Sequence, residues 1–278
     1  MADFDGDART DVSVFRPSTG AWYVNGSSSG FAGYAFGANG DRITPGDFDG
    51  DNKSDLAVFR PTDGYWYILQ SSNSAFLAVP FGANGDQPIA ADYDGDGKSD
   101  IAVYRASVGT WYYLQSSDDA FRAVPFGASG DKVVPYDYDG DGRVDIAVFR
   151  PSNGYWYYLR SSDGGFNFAQ FGLGTDTPVV GDYDGDGKAD LAVFRQSGPA
   201  GNWYILRSSD NNVVGLQFGA STDRPAPGYF DGDGKVDIGV FRPTDGFWYS
   251  LNSTNGAVQG QQFGTNGDVS VPSAYVPE

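Results

Sequence analysis

Three unrelated markers recur along this chain at one shared period, and that repetition limits the fold more than any other feature. Trp22, Trp66, Trp111, Trp156, Trp203 and Trp248 follow one another at intervals of 44 to 47 residues. Phe-Gly pairs begin at Phe36, Phe81, Phe126, Phe171, Phe218 and Phe263. Acidic loops open near residues 3, 47, 92, 137, 182 and 229. Self-similarity at such a period is the signature of a solenoid, a propeller or an array of small modules.

Each unit reads as four short strands. An apolar run such as Leu56-Ala57-Val58-Phe59-Arg60 follows the acidic loop, and the turn Pro61-Thr62-Asp63-Gly64 ends it. The aromatic run Tyr65 to Leu69, a Ser-Ser turn and a third run, Ala75 to Phe81, come next. A Gly-rich link from Gly82 to Asp86 then leads into a fourth run, Gln87 to Ala91, which enters the next acidic loop. Every run is bounded by turn residues, and no segment carries a helical period. Four strands in about 45 residues match a propeller blade. The reading is therefore all-β: a six-bladed β-propeller with four antiparallel strands per blade. The repeat units are about 3–46, 47–91, 92–136, 137–181, 182–228 and 229–273, in a single domain over 1–278 with no linker. The fifth unit has two extra residues around Gly198-Pro199-Ala200-Gly201, expected to lengthen a turn.

The two ends complement each other. The first unit lacks the strand that should precede its loop, and the last runs on through residues 268–275, which resemble that strand. The C-terminal strand is expected to join the N-terminal blade and close the ring, which removes open sheet edges. A piece of a larger propeller is the alternative. The chain opens on an acidic loop with no leader ahead of it, as expected at the trimmed edge of a longer protein.

Composition agrees with this and excludes much else. Forty Gly and 15 Pro suit turns. The chain has no Cys and no His, which removes thiol chemistry, disulfides, the usual zinc, copper and haem ligands, and the commonest general base. The formal net charge is −18, with 18 basic residues scattered among 36 acids, so no nucleic-acid partner is expected. No apolar run is long enough for a membrane helix. The acids are almost all Asp, Glu278 being the exception, and Asp favours turns and metal loops over helices.

The acids concentrate in the repeated loops. The clearest is Asp182-Tyr183-Asp184-Gly185-Asp186-Gly187-Lys188-Ala189-Asp190, with carboxylates at positions 1, 3, 5 and 9. Its copies carry Asp3, Asp5, Asp7 and Asp11; Asp47, Asp49, Asp51 and Asp55; Asp92, Asp94, Asp96 and Asp100; and Asp137, Asp139, Asp141 and Asp145. In the sixth loop Tyr229 takes position 1, leaving Asp231, Asp233 and Asp237. The loops thus hold 23 of the 36 acids, four in each of the first five and three in the sixth. Acidic Asx-turns alone would not need so many carboxylates. A hard divalent cation would turn their repulsion into coordination, and Ca2+ suits flexible oxygen sites with six to eight ligands. Four to six ions are expected. Six of them, each adding two charges, would bring the net charge from −18 to −6. Position 7 is always basic: Arg9, Lys53, Lys98, Arg143, Lys188 and Lys235. It can ligate only through its backbone carbonyl, as position 7 of an EF-hand does, with the basic tail reaching solvent. The loops are not EF-hands, because no Glu stands at position 12 and β-type residues follow. Loop one, at the ring closure, and loop six, with Tyr229, are expected to be the weak sites.

The pattern Phe-Gly…Asp-Tyr-Asp-Gly-Asp-Gly-Lys-Ala-Asp-Leu-Ala-Val resembles the FG-GAP or VCBS repeat of integrin α-subunit propellers and secreted bacterial proteins. The resemblance covers essentially the whole chain. It implies a propeller with calcium in the loop between the first two strands of a blade, held by the Asp residues just named. Integrin propellers have seven blades, so blade number does not carry over.

Two further sets repeat. Arg16, Arg60, Arg105, Arg150, Arg195 and Arg242 share a face with Asp41, Asp86, Asp131, Asp176, Asp223 and Asp268, opposite the acidic loops and Ser-Ser turns. They read as six exposed ion pairs worth ~0–1 kcal/mol each, or as a ring gripping an acidic or sugar ligand. The Trp-Tyr pairs read as inter-blade packing, or as stacking platforms for sugars. The expected function is a non-catalytic calcium-binding propeller, an extracellular or cell-surface adhesion or ligand-binding module, monomeric, whose partner is a glycan or a cell-surface protein. The alternatives are a lectin with repeated sites and, third, a polysaccharide lyase or hydrolase. The departures at Tyr229 and Gly198–Gly201 form no recognisable acid/base pair.

Overall fold

The computed structural model describes residues 2–271 and contains six four-stranded antiparallel sheets arranged as blades in a ring. Blade three is typical. Its strands run Gln87–Pro88, Ile101–Arg105, Thr110–Leu114 and Phe121–Pro125, in that spatial order from the central channel outward. Five of the six two-residue innermost strands contribute to the lining of the channel, whereas the outer strands are largely exposed.

Blade and repeat unit are offset by one strand. Arg42–Ile43 lies in the first repeat unit but pairs with Leu56–Arg60 of the second, and the same shift recurs around the ring. The last innermost strand, Val269–Ser270, pairs with Val12–Arg16, so that Val14 faces Ser270 and Phe15 faces Val269. The chain's two ends therefore build one sheet, as the sequence predicts. The remainder of the expected closing strand, 272–275, lies outside the described residues. The fifth unit differs from expectation: its two extra residues lengthen strands rather than a turn. Leu191–Ser197 and Ala200–Leu206 form a seven-pair hairpin, and the mismatch with the outer strand is absorbed as a bulge between Ala200 and Asn202.

The core lies between blades. The Trp of each aromatic strand is buried against the second strand of the following blade, as Trp22 packs with Phe15 and with Leu56 and Val58 of blade two. Burying such a ring contributes roughly 1.5–3 kcal/mol. Its indole N–H finds a partner in every blade, donating to the carbonyl of the Phe in the Phe-Gly pair; Trp66 Nε1 to Phe81 O is 2.9 Å. The following Gly is required by space and conformation together. Gly82 has φ +120°, and a Cβ there would lie 2.9 Å from Phe59 and 3.4 Å from Val103 of the next blade.

The six Arg–Asp pairs form as the register requires, each linking a second strand to the link before its own innermost strand. Arg60 grips both oxygens of Asp41 at 2.7 and 2.8 Å, and Arg16 closes the set on Asp268, 252 residues away. They are not exposed pairs. Each Asp side chain is buried to within 1%, each Arg is about a third exposed, and each guanidinium lies 4.4–4.8 Å over a Tyr ring. The Tyr of each Trp-Tyr pair is thus committed on one face. Neighbouring blades create this burial, which spacing alone does not reveal.

Cutting one partner of such a pair leaves a buried charge unanswered. Arg195→Gln should cost ~2–4 kcal/mol in urea unfolding, because Asp176 is fully buried. Arg160→Gln, which breaks an exposed pair with Asp163, should cost ~0–1 kcal/mol. Equal losses in the two variants would contradict the assignment.

Candidate metal centre

Loops two to six each join the innermost and second strands of their blade, loop one leads into Val12–Arg16, and in the first five loops the position 1 carboxylate folds the turn. Asp182 Oδ1 accepts N–H of Gly185 at 2.6 Å and of Asp186 at 3.2 Å, while Oδ2 accepts Gly187 N–H at 2.9 Å. Asp3, Asp47, Asp92 and Asp137 repeat this arrangement. The tight turn needs left-handed backbone at position 4, and glycine supplies it; Gly185 has φ +80°. A Cβ there would also meet Lys235 of the next loop at 2.9 Å. Lys53, Lys98, Arg143, Lys188 and Lys235 each lie across the position 4 glycine of the preceding loop, and Arg9 lies across Gly232. The basic tails therefore bridge neighbouring loops rather than simply extending into solvent, because adjacent blades bring the loops together.

Position 9 anchors the loop to its blade. Asp11, Asp55, Asp100, Asp145, Asp190 and Asp237 are fully buried. Each accepts the position 2 N–H and the N–H of the first residue in the Ser-Ser turn; Asp190 receives Tyr183 at 2.8 Å and Ser208 at 2.7 Å. The Ser turns hold the other carboxylates too. Ser208 Oγ donates to Asp186 at position 5, and Ser209 Oγ to Asp184 at position 3. Sequence reasoning placed these turns on the loop face but missed this role; their recurrence with the loops was the available signal.

Five loops gather three carboxylates each, with one oxygen from every member within 4.8 Å of the others. The groups are Asp3, Asp5 and Asp11; Asp47, Asp49 and Asp55; Asp92, Asp94 and Asp96; Asp137, Asp139 and Asp145; and Asp182, Asp184 and Asp190. Asp7, Asp51, Asp141, Asp186 and Asp100 stand outside them. The donor set is all oxygen, as a hard cation requires. Asp5 Oδ1 and Asp49 Oδ1 are buried with no hydrogen-bond partner, an arrangement that costs free energy unless a cation answers it.

Electrostatics mark the position 9 carboxylates. Burial pushes Asp11, Asp100 and Asp145 up to about 6, only partly offset by the N–H groups they accept, and neighbouring carboxylates add to the rise. Burial raises Asp55, Asp190 and Asp237 in the same direction. Burial would raise Asp5 as well, but hydrogen bonds from Ser28 and Ser29 outweigh it and hold that carboxyl low.

Loops one and six depart from each other. Loop one is as well formed as the rest: Asp3 is buried and its group complete, so the chain end does not disturb it. Loop six forms no such group among the described residues. Tyr229 turns away, and its hydroxyl meets that of Tyr136 at 2.8 Å. Tyr136 stands just before loop four, where Ala2, Gly46, Ala91, Gly181 and Gly228 stand before the others. The two departures from the repeat thus complete each other.

A continuous belt ties the loops together. The position 8 N–H of each loop donates to the position 1 carbonyl of the loop before it: Ser54 to Asp3, Ser99 to Asp47, Val144 to Asp92, Ala189 to Asp137 and Val236 to Asp182, at 2.6–2.8 Å. Thr10 to Tyr229, at 3.0 Å, closes the circle.

Residues 47–103 and 137–193 match the FG-GAP-like repeat family. Among solved structures the chain is similar to TolB from Acinetobacter baumannii, at 15% identity over 97% of this chain and 68% of that one, with a TM-score of 0.66. A streptogramin B lyase is similar at 10% identity, over 95% and 85% of the two chains, with a TM-score of 0.60. An Agrocybe aegerita lectin, described by its specific recognition of non-reducing terminal N-acetylglucosamine, is similar at 16% identity over 90% and 75%, with a TM-score of 0.57. At these identities the likeness is one of fold. No match was found among curated proteins. Two stretches matched by the family and six closed sheets lead to one statement: the chain is a six-bladed β-propeller that carries FG-GAP-like repeats at residues 47–103 and 137–193.

Proposed function

We propose that this protein is a non-catalytic calcium-binding propeller, an adhesion or ligand-binding module working outside the cell or at its surface. The observation that carries this reading is the meeting of three carboxylates in five separate loops, with Asp5 Oδ1 and Asp49 Oδ1 buried and unanswered. Carboxylates at positions 1, 3 and 9, or 1, 3 and 5 in loop three, would hold the ion, joined by the remaining carboxylate and by the backbone carbonyl of the basic residue at position 7. The ion's part is structural. It would neutralise the loop, fix it against the Ser turn, and stabilise the native state by mass action, about 2.7 kcal/mol per site at a hundredfold excess over Kd. Calcium is abundant outside cells, so even modest sites would fill there.

Native mass spectrometry with added Ca2+ should find five ions. Asp184→Asn should remove one, whereas Asp231→Asn, in the sixth loop, should leave the count at five. A wild-type protein that takes up no calcium, with a melting temperature indifferent to chelator, would defeat the reading.

The response to pH should change sign with the metal. The position 9 carboxyls have folded pKa values above their unfolded value of 3.8. Between about pH 6 and 4 the folded state of metal-free protein therefore binds more protons than the unfolded state, and stability rises as pH falls. Protons compete with Ca2+ for the same oxygens, so the calcium-induced rise in melting temperature should shrink over that window. A metal-free protein that loses stability steadily from pH 7 to 5 would contradict the assignment.

Carbohydrate binding is a second reading, favoured by the blade seams. Phe31, Phe76, Phe121 and Phe166 are exposed at the start of the outer strands. Each stacks on a Tyr of its own blade and meets edge-on the Phe-Gly Phe of the preceding blade, as Phe76 meets Tyr67 and Phe36. Val213 and Val258 replace them in blades five and six. Four aromatic seams would give several weak, equivalent sites and useful avidity. The likeness to a lectin of this fold supports the same reading. A glycan array should show binding that Phe76→Ala and Phe121→Ala weaken; silence on all glycans would remove it.

A further inference from the structure

The innermost strands begin at Arg42, Gln87, Lys132, Thr177, Arg224 and Val269. All six occupy one place in the register, opposite Phe59, Tyr104, Phe149, Phe194, Phe241 and Phe15 respectively. They therefore form a ring at the mouth of the central channel, on the face that carries the Arg–Asp pairs. Cations occupy blades two, four and six, and uncharged residues occupy the three blades between. A sixfold scaffold thus presents a threefold pattern of positive charge.

The fold leaves these cations without a carboxylate. Asp41, Asp131 and Asp223 immediately precede them, but Arg60, Arg150 and Arg242 already take those side chains. Among the described residues, no carboxylate lies within ion-pair reach of Arg42, Lys132 or Arg224. Arg42 is steadied by a 3.0 Å bond from Nη1 to the carbonyl of Asp86. Burial lowers the pKa of the Lys132 ammonium, an effect that Asp176 offsets only in part. Arg42 and Arg224 line the channel cavity of about 1070 Å3 together with Gln87, Thr177 and the Arg-paired Asp223, whereas Asp3, Asp47 and Asp92, with Lys53, line its other end; Lys132 is not among the lining residues and stands beside the cavity at the matching register position in blade four. In a chain with net charge −18, three cations without a carboxylate of their own thus share one register position at one end of the channel.

We propose that this mouth binds a compact polyanion bearing two or three carboxylate or phosphate groups, gripped by Arg42, Lys132 and Arg224. Arg offers planar, often bidentate recognition of both groups, and Lys adds a point charge. A cleft of this size suits a small molecule, and its low-dielectric walls focus the field of three like charges. The site shares none of these cations with the acidic loops, so it stands or falls separately from calcium binding.

Isothermal titration of the calcium-saturated protein with benzene-1,3,5-tricarboxylate and with glucose 1,6-bisphosphate tests it. Saturable one-to-one binding of at least one probe is expected, and which of them binds tells carboxylate from phosphate recognition. Arg42→Gln, Lys132→Gln and Arg224→Gln should each weaken binding about tenfold or more, the effect of losing ~1.4 kcal/mol. Arg122→Gln, on an exposed outer strand, should leave it unchanged. Urea unfolding of each single variant confirms that it is folded. The assignment fails if neither probe binds, if all three mouth variants bind as wild type does, or if Arg122→Gln weakens binding as much as they do.

Discussion

The ring rests on the hydrogen-bonded belt that runs from loop to loop. Each of its six bonds is worth only about 1 kcal/mol. Their importance is geometric. Every loop donates to the one before it, and Thr10 to Tyr229 spans 219 residues to complete the circle. The basic side chains draped over the position 4 glycines follow the same path. A carboxylate group in one loop is therefore placed partly by its neighbours. The position 1 residue contributes twice: its carbonyl belongs to the belt, and its carboxylate folds its own loop. Tyr229 keeps the first of these and gives up the second. This explains how one loop can lack a carboxylate group while the ring still closes.

The two faces of the disc treat carboxylates in opposite ways. On one face, aspartates crowd together, answered mainly by backbone N–H groups and Ser hydroxyls. On the other, six aspartates are each paired to an Arg that also lies over a Tyr ring. The second arrangement is electrically closed and holds innermost to second strands without any ion. The first is left with excess negative charge, raised carboxyl pKa values and two orphaned oxygens. Among the described residues, the carboxylate groups that could hold a metal ion therefore stand on one face only.

Much of this was legible in the residues because repetition reports one environment six times. The period gave the blades, Phe-Gly and Trp marked the seam, and the Arg and Asp sets shared a face. What was not legible depends on contacts made between units. The burial of Asp176 comes from packing at the blade seam, so its ion pair looked exposed. Lys53 and its equivalents were expected in solvent because the sequence does not show the glycine of the preceding loop beneath them. Loop one seemed vulnerable because it stands at the chain's start, yet Asp3 is gripped by loop two through Ser54. Tyr136 and Tyr229 each looked like a lone irregularity, and only the fold puts their hydroxyls together.

The one-strand offset between unit and blade has a consequence for how such rings can grow. Every seam, including the closing one, joins the innermost strand left by one unit to the loop of the next. A unit copied or lost whole therefore carries three strands of one blade and the innermost strand of the next, and the remaining strands match each other as before. Closure is thus indifferent to copy number. The number of blades is set instead by how wide a wedge the Trp, Phe and Val side chains make between neighbouring sheets, so lineages could gain or shed a blade by altering packing volume without altering how the ends meet.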